Sequence, residues 1–268
     1  MEPKRDRWGR YILLDPETGE ERHWTRVTTL AEALSDSYGL TDWKLRNVVY
    51  GIGQRQELYE LAAASDVDDK HQLSDIVEDA MKASGADARS KIGTTLHKFT
   101  QRLDMGEPTK VTKRWEDDVA AYEQAKAEWG IITAPSMCER ITAVPELSVA
   151  GTMDRLVKFQ NQPTVMDLKT GSSVELGQLK IAIQLAIYSR GKVLLNEDNG
   201  KWEPMPRGVN QDTGIVVHLP AGEASPKLYY VDLRAGWHFA QLAYEVREGR
   251  KRKDLLYPAH GDSSDGDN

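Results

Sequence analysis

The chain has 268 residues, of which 40% are hydrophobic and 29% charged, and its formal net charge is −7. It is long enough for one large core or a core with an added lobe, and no stretch approaches a membrane-spanning length. The N-terminal sequence MEPKRDRWGR lacks the apolar segment of a secretory signal. A single cysteine, Cys138, excludes an internal disulfide and a multi-cysteine zinc or iron–sulfur site. We therefore expect a soluble, cytoplasmic protein.

The first 85 residues predict a β-hairpin followed by helices. Two strand-like runs flank the turn-rich DPETGE within residues 8–27. A short helix is predicted for VTTLAEALSDSYG and a second for TDWKLRNVVYGIG, with Thr41 as its N-cap. Residues 54–84 are helical in composition, with a loop at ASDVDDKH. The sequence thus predicts an N-terminal lobe over residues 1–85 that is mostly helical.

Helices and strands alternate from residue 86 onward. In the first helix, to about residue 104, the apolar residues form one stripe and His97 lies off it. A second helix covers 114–129. Further elements follow at 136–144, 147–159 and 164–169 (strands), 175–190 (helix), 214–219 and 227–233 (strands) and 235–250 (helix). This order predicts a mixed α/β fold, with helices on the faces of a mixed sheet over residues 86–253. An acidic tail, predicted to be disordered, covers 254–268.

The strand-like runs on either side of QNQP (160–163) predict a hairpin that concentrates charged groups. A turn centred near residues 161–162 places Asp154 roughly opposite Lys169. Because strand side chains alternate, Asp167 and Lys169 share one face. Two carboxylates can hold Mg²⁺, and a lysine beside them can neutralise charge on a phosphate, which is what phosphodiester hydrolysis needs. Taken alone, these three residues are equally compatible with an ordinary surface ion pair and with such a site.

Three motifs together resemble the RecB-type branch of the PD-(D/E)XK nuclease superfamily: GTMDR (151–155), MDLKTG (166–171) and the Q-x-x-x-Y of Gln184 and Tyr188. The resemblance covers roughly residues 90–190. It implies a restriction-endonuclease-like central mixed sheet flanked by helices. It also implies that Asp154 and Asp167 are metal ligands and that Lys169 is catalytic. Gln184 and Tyr188 would face the DNA backbone and the lysine, although an ordinary i, i+4 helix pair is an equal alternative.

The same resemblance implies further site residues and a cofactor. His97 in GTTLHKF matches a metal ligand on an upstream helix. The carboxylate of the first strand is matched by Glu139 in MCERIT, with Glu146 in PELSVAG as a rival. With only Cys138, the chain resembles the phage recombination exonucleases that carry no iron–sulfur cluster. The implied cofactor is Mg²⁺ or Mn²⁺.

The implied activity is that of a DNA exonuclease in phage-type recombination, repair or replication. The net charge of −7 lowers the expectation of DNA binding, but a site that gathers carboxylates around cations has the same sign. The expected substrate is DNA with free ends, single strands being favoured. Trp43, Lys44 and Arg46 are candidates for base stacking and phosphate contact. The basic run GRKRK at 249–253 is either a phosphate-contacting patch or the solvated end of a helix.

The expected partner is a single-strand annealing or binding protein, or a helicase, because the chain has no G-x-x-x-x-G-K-[ST] loop. Two alternatives stay open. One is a structure-specific endonuclease, and the other is a catalytically silent DNA-binding module on the same fold. The presence of Asp154, Asp167 and Lys169 argues against the silent module.

Overall fold

The structure is a computed structural model that describes residues 3–257, apart from the side chains of residues 87–91. The N-terminal third contains β1 (Tyr11–Leu14), β2 (Glu21–Arg26), α1 (Val27–Ala31), α2 (Tyr38–Gln54), α3 (Gln56–Ala64), α4 (Lys70–Ala83) and α5 (Ala86–Asp104). The rest contains α6 (Glu116–Glu128), β3 (Cys138–Val144), β4 (Val149–Phe159), β5 (Gln162–Lys169), α7 (Gln178–Ser189), β6 (Val193–Asn196), β7 (Lys201–Pro204), β8 (Thr213–His218), β9 (Lys227–Asp232) and α8 (Leu233–Lys251).

The strands form one mixed sheet in the order β7-β6-β3-β4-β5-β8-β9. Neighbours along this order are antiparallel except β5 and β8, which are parallel. Strand β2 pairs with β1 and adds to the start of β4 in parallel. The predicted mixed sheet is therefore confirmed.

Helices cover both faces of this sheet because its central strands are apolar on both sides. Val165 of β5 packs in a core with α1, α7 and α8. Met166 and Leu168, which point to the opposite face, pack in a second core with α5 and α6. All three side chains are at most 2% exposed. This burial fixes β5 rigidly between two helical layers, and the predicted flanking of the sheet by helices is confirmed.

The hairpin of β4 and β5 has a tighter turn than the sequence predicted. Gln160 and Asn161 form the turn, with φ of 48° and 63°, as a two-residue hairpin turn requires. The pairing of Arg155 with Met166 then places Asp154 next to Asp167 instead of Lys169. The predicted register was wrong by two residues, so the faces to which the side chains point are unchanged.

One further prediction about local structure was wrong, and one element was missed. Thr41 is not an N-cap, because α2 already begins at Tyr38, where the Asp36 carboxylate accepts a hydrogen bond from the backbone N–H of Tyr38 at 2.9 Å. The hairpin of β6 and β7 was not predicted at all. Its strands have four residues each, too few for a clear alternation of apolar and polar side chains.

The N-terminal region divides into two parts by its packing. Trp24 is fully buried, and Val27 and Leu30 of α1 lie in the core beneath the sheet. Helices α2 to α4 pack mainly against one another and meet α5 through α4. We call residues 36–84 the helical lobe. The extent of a domain over residues 1–85 stays a prediction, but its first part is built into the main core.

Most of the predicted tail over 254–268 lies outside the described residues, which end at 257. In the described part of the chain, no helix combines the length and the apolar character needed to cross a membrane.

Candidate active site

Three adjacent strands place a row of carboxylates across the middle of the sheet. The residues that flank Glu139 in β3 pair with those that flank Asp154 in β4. The pairing of β4 with β5 ends at Arg155 and Met166, directly beside Asp154 and Asp167. Glu139, Asp154 and Asp167 therefore lie side by side, although more than ten residues separate each from the next along the chain.

His97 of α5 completes a group that can hold a metal ion. Its Nε2 lies 3.7 Å from Asp154 Oδ2 and 3.8 Å from Glu139 Oε1. One potential ligand atom from each of the three residues lies within 4.8 Å of the others. The neighbouring Leu96 is fully buried in the core under α5, so the off-stripe position of His97 turns its ring toward the strands. An imidazole and two carboxylates converge at this point.

Glu139 shows that this group fits a cation. Its Oε1 is buried and has no hydrogen-bond partner, which is unfavourable for a carboxylate unless another positive group or a metal compensates it. Its φ of 52° is in the left-handed region, which a non-glycine residue adopts at a cost of about 1–3 kcal/mol. A divalent cation held by His97, Glu139 and Asp154 would provide the missing partner, and mixed nitrogen and oxygen ligands suit such ions.

The charges around His97 match this assignment. Burial alone would lower the pKa of His97, but the Glu139 and Asp154 carboxylates outweigh burial and raise the pKa. The negative field that stabilises the imidazolium would also attract a cation. His97, like Glu139 and Asp154, is half-buried, so it keeps a path to solvent.

Asp167 and Lys169 form a separate pair beside this group. Asp167 Oδ2 lies 2.7 Å from Lys169 Nζ, and the Asp167 side chain is nearly buried while that of Lys169 is 33% exposed. Burial raises the pKa of Asp167 to about 6, with Asp154 adding to the rise and Lys169 opposing it. Burial acts to lower the pKa of Lys169, but Asp167 outweighs it and the pKa is raised. Lys169 is thus a partly accessible ammonium.

The roles that the resemblance implied for Asp167 and Glu139 stay predictions, and the structure offers an alternative. Asp167 was expected to be a metal ligand and Glu139 a supporting carboxylate. Among the described residues, the carboxylates that converge on His97 are those of Glu139 and Asp154. Asp167 forms an ion pair with Lys169, although its buried Oδ2, like Glu139 Oε1, makes no hydrogen bond of good geometry.

Gln184 and Tyr188 of α7 are buried and contact each other. Tyr188 is 2% exposed and Gln184 8% exposed, and Gln184 Nε2 lies 3.5 Å from Tyr188 Oη. Burial raises the pKa of Tyr188, and the charges of Asp154 and Asp167 add to this rise. The contact between the two side chains is the i, i+4 helix pair that the sequence left open as an alternative, and a role of these side chains at the DNA backbone stays a prediction. They lie behind the carboxylates.

A cavity of about 460 Å³ opens beside His97 and Glu139, between α5 and the loop after β5. Thr170 and Gly171 line it from that loop, and Gly93 lines it from α5. Thr170 Oγ1 donates to the Gly93 carbonyl at 3.0 Å, and a Cβ at Gly93 would lie 2.8 Å from this hydroxyl. Sequence reasoning missed these residues, although the Thr-Gly pair directly follows Lys169.

His218 of β8, also missed, anchors this loop. It pairs with Lys169 in the parallel β5–β8 ladder. Its Nε2 lies 2.7 Å from the Gly171 carbonyl oxygen, and the backbone N–H of Leu219 donates to the Lys169 carbonyl at 2.8 Å. No local signal identifies His218, because the contact depends on a strand pairing 49 residues apart.

A buried network holds β4 under α5. The Asp104 carboxylate accepts hydrogen bonds from Arg155 Nε at 2.5 Å, from the Tyr122 hydroxyl at 2.6 Å and from Lys126. Arg155 Nη1 is buried without a hydrogen bond and lies 3.9 Å from Asp154 Oδ2. Arg155 therefore adds positive charge behind Asp154, and this residue was not identified from the sequence.

The remaining candidate residues lie elsewhere. Trp43 is half-buried, whereas Lys44 and Arg46 are exposed, and Arg46 pairs with Asp42 at 3.0 Å. None of them lines the cavity beside His97. Glu146 lines a different cavity, together with Arg190. The geometry therefore favours Glu139 over Glu146 as the carboxylate of the first strand.

Comparison with protein families agrees with this geometry. A family model of the PD-(D/E)XK nuclease superfamily matches residues 55–221, more than half of the chain. No curated protein matches the chain significantly. The matched region contains every residue of the site described above, from His97 to His218, and PD-(D/E)XK nucleases use divalent metals. The chain belongs to the PD-(D/E)XK nuclease superfamily.

Proposed function

We propose that the chain is a metal-dependent DNA exonuclease that hydrolyses phosphodiester bonds from DNA ends. The observation that carries this proposal is the convergence of His97, Glu139 and Asp154 beside the ammonium of Lys169. Hydrolysis of a phosphodiester requires compensation of negative charge on the phosphate, and this site gathers the groups that can supply it.

His97, Glu139 and Asp154 would hold the cation, and Mg²⁺ or Mn²⁺ fits their donor atoms. When bound, the ion neutralises charge on the phosphate and lowers the pKa of a water molecule. With one cysteine in the chain, no iron–sulfur cluster of four cysteines can form.

Lys169 would act directly on the substrate. Its Nζ is held at 2.7 Å from Asp167, which is itself fixed in β5, so the ammonium is oriented before DNA binds. Because the raised pKa keeps Lys169 charged at neutral pH, it can donate to a phosphate oxygen as negative charge develops there. Asp167 is in this view a positioning residue for Lys169.

The assignment to the RecB-type, phage recombination branch is supported by the motifs GTMDR, MDLKTG and Q-x-x-x-Y. It leads us to propose DNA with free ends, single strands being favoured, as the substrate. A single-strand annealing or binding protein, or a helicase, would supply these ends. The protein would act in the cytoplasm, that of the host if it is encoded by a phage.

One assay tests this function. End-labelled linear single-stranded and double-stranded DNA and covalently closed circles are incubated with Mg²⁺, with Mn²⁺ or with EDTA. Exonuclease activity predicts progressive shortening of linear DNA, intact circles and no reaction in EDTA. Cleavage of circles would support a structure-specific endonuclease instead. Binding without cleavage in both metals would support a catalytically silent module.

A further inference from the structure

A second cavity, of about 320 Å³, brings together three arginines from distant parts of the chain. Arg10 precedes β1, Arg26 ends β2 and Arg247 lies in α8. The other lining residues are Trp8, Thr25 and Thr29. We call this cavity the arginine pocket.

The arginine pocket keeps an excess of positive charge. Arg10 is paired with Asp6, at 2.6 Å. Within residues 3–257, neither Arg26 nor Arg247 forms an ion pair with a carboxylate. A chain of net charge −7 has many carboxylates to offer, so two unpaired guanidinium groups in one cavity indicate a site for an anionic ligand.

The chemistry of the lining suits a phosphate group. Guanidinium groups bind phosphate oxygens through two parallel hydrogen bonds, and threonine hydroxyls can donate to the same oxygens. Trp8 stands at the pocket with 61% of its surface exposed, and the Arg10 guanidinium lies 5.0 Å from its ring centroid. An exposed aromatic ring beside cations is the combination by which proteins bind single-stranded nucleic acid.

The pocket also lies within reach of the candidate active site. Arg26 pairs with Ala150 of β4, four residues before Asp154, which corresponds to about 13 Å along the strand. The basic run 249–253 follows Arg247 at the end of the same helix. A strand of DNA that passes Asp154 could therefore reach Arg26 and Arg247, whereas Lys251 and Arg252 of the basic run are paired with Glu248 and Asp254.

We propose that the arginine pocket binds a phosphate group of the DNA strand, a few nucleotides from the bond that is cleaved. This inference rests on the proposed function for the identity of the ligand. The pocket would retain the strand between successive cleavages and contribute to binding without taking part in the chemistry.

The test compares DNA binding by wild type and the double variant R26A/R247A, by fluorescence anisotropy in EDTA so that no cleavage occurs. The probe is a labelled single-stranded oligonucleotide, with or without a terminal 5′ phosphate. We expect affinity to fall about tenfold or more. The slope of log affinity against log salt should fall by about 0.7, because the contact with one phosphate is lost. An effect on both probes identifies an internal phosphate, and an effect on the phosphorylated probe alone identifies the terminal one.

Two further variants control for charge and geometry. K201A/K227A removes the same net charge from exposed residues of β7 and β9 and should bind like wild type. R26K/R247K keeps the charge and should retain the salt slope. Circular dichroism and thermal unfolding establish that each variant is folded. Equal affinity and equal salt slope for wild type and R26A/R247A would overturn the proposal.

Hydrolysis of bis(p-nitrophenyl) phosphate separates the pocket from the active site. This diester is too small to reach from Asp154 to Arg26, so R26A/R247A should hydrolyse it at the wild-type rate. If R26A/R247A lost hydrolysis of this diester and of DNA to the same extent, the substitutions would affect the active site, and the proposal that the pocket binds DNA would be overturned. If wild type fails to cleave either substrate while the binding difference persists, the proposed function fails and the pocket stands.

Discussion

At the scale of single residues, Glu139 combines a strained backbone with a buried carboxylate oxygen that has no partner. Both features are unfavourable in the protein without metal. They are explained if the position of the carboxylate is set by a cation that it shares with His97 and Asp154. The metal site thus makes predictions that differ from one residue to the next.

Glu139→Gln should lower the affinity for Mn²⁺, measured by calorimetric titration, by about 100-fold or more. Even the loss of a residue that only hydrogen-bonds to a metal-coordinating side chain lowers metal affinity by about 10–100-fold. Glu146→Gln is the matched control, because it removes the same charge from a residue that lines a different cavity. Equal metal affinity of the two variants would contradict the assignment of Glu139.

Lys169→Ala should reduce DNA cleavage by about 10²–10³-fold, as loss of a group that stabilises developing charge does. Its Mn²⁺ affinity should stay near that of wild type, because Lys169 pairs with Asp167 and not with the ligand group. Asp154→Ala should lose cleavage and metal binding together. If Lys169→Ala lost the metal as completely as Asp154→Ala, the two roles would be wrong.

His97→Ala should lower cleavage with both metals and narrow any advantage of Mn²⁺ over Mg²⁺. Imidazole suits transition metals, whereas Mg²⁺ prefers oxygen ligands. Steady-state rates with each metal measure the ratio. Unchanged rates and an unchanged metal preference would show that His97 is only a surface residue.

At the scale of elements, the site depends on how α5 is held against β4. The buried Asp104 of α5 binds Arg155 of β4 together with Tyr122 and Lys126 of α6. Burial raises the pKa of Asp104, but Arg155 and Lys126 outweigh it and the pKa is lowered. The network therefore fixes the distance between His97 and Asp154, which lie on the same two elements.

Asp104→Asn should destabilise the protein at pH 7 by about 3–5 kcal/mol, because it leaves buried cations without their partner. A carboxylate with a lowered pKa contributes stability above its unfolded pKa of about 4, and this stability is lost as the pH falls through the folded pKa. Denaturant unfolding should thus show a difference that shrinks below about pH 4.

Glu123→Gln is the control for Asp104→Asn. Glu123 pairs with the same Lys126, at 2.8 Å, but its side chain is 50% exposed, so its loss should cost at most about 1 kcal/mol. Equal effects of the two substitutions at pH 7 would show that the buried network does not hold α5 and β4 together.

At the scale of the whole molecule, charge is unevenly distributed. The helical lobe, residues 36–84, contains ten acidic and five basic residues and so carries −5 of the net −7. Such a lobe repels a DNA backbone. A lobe of this charge is better suited to exclude the strand, and so to confine it, than to bind it along its surface.

Digestion should therefore start at DNA termini, depend strongly on salt and spare covalently closed circles. Residues 36–84 can be replaced by a flexible linker, with β1, β2 and α1 retained. This variant should still cleave DNA but should depend less on free DNA ends. The measurement is the ratio of cleavage rates on circular and linear single strands. Rapid linearisation of circles by the full-length protein would contradict confinement by the lobe.

The sequence by itself determined most of the elements and the motif residues, but not the short hairpin of β6 and β7. Apolar alternation in β5 and the stripe of α5 follow from periods of two and 3.6 residues, so local sequence places Asp167 and Lys169 on one face and His97 off the stripe. The class of fold followed from the order of these elements. The same local information placed the hairpin turn only to within one residue, which gave the wrong register at Asp154.

Only the tertiary structure decided which of these groups meet. The choice of Glu139 over Glu146 depends on the register of β3 with β4, and the burial of Tyr188 depends on the packing of α7 beneath the sheet. The arginine pocket joins residues more than 200 positions apart. Contacts of this kind depend on pairings over long sequence separations, which carry no local periodicity and become visible only when the chain is folded.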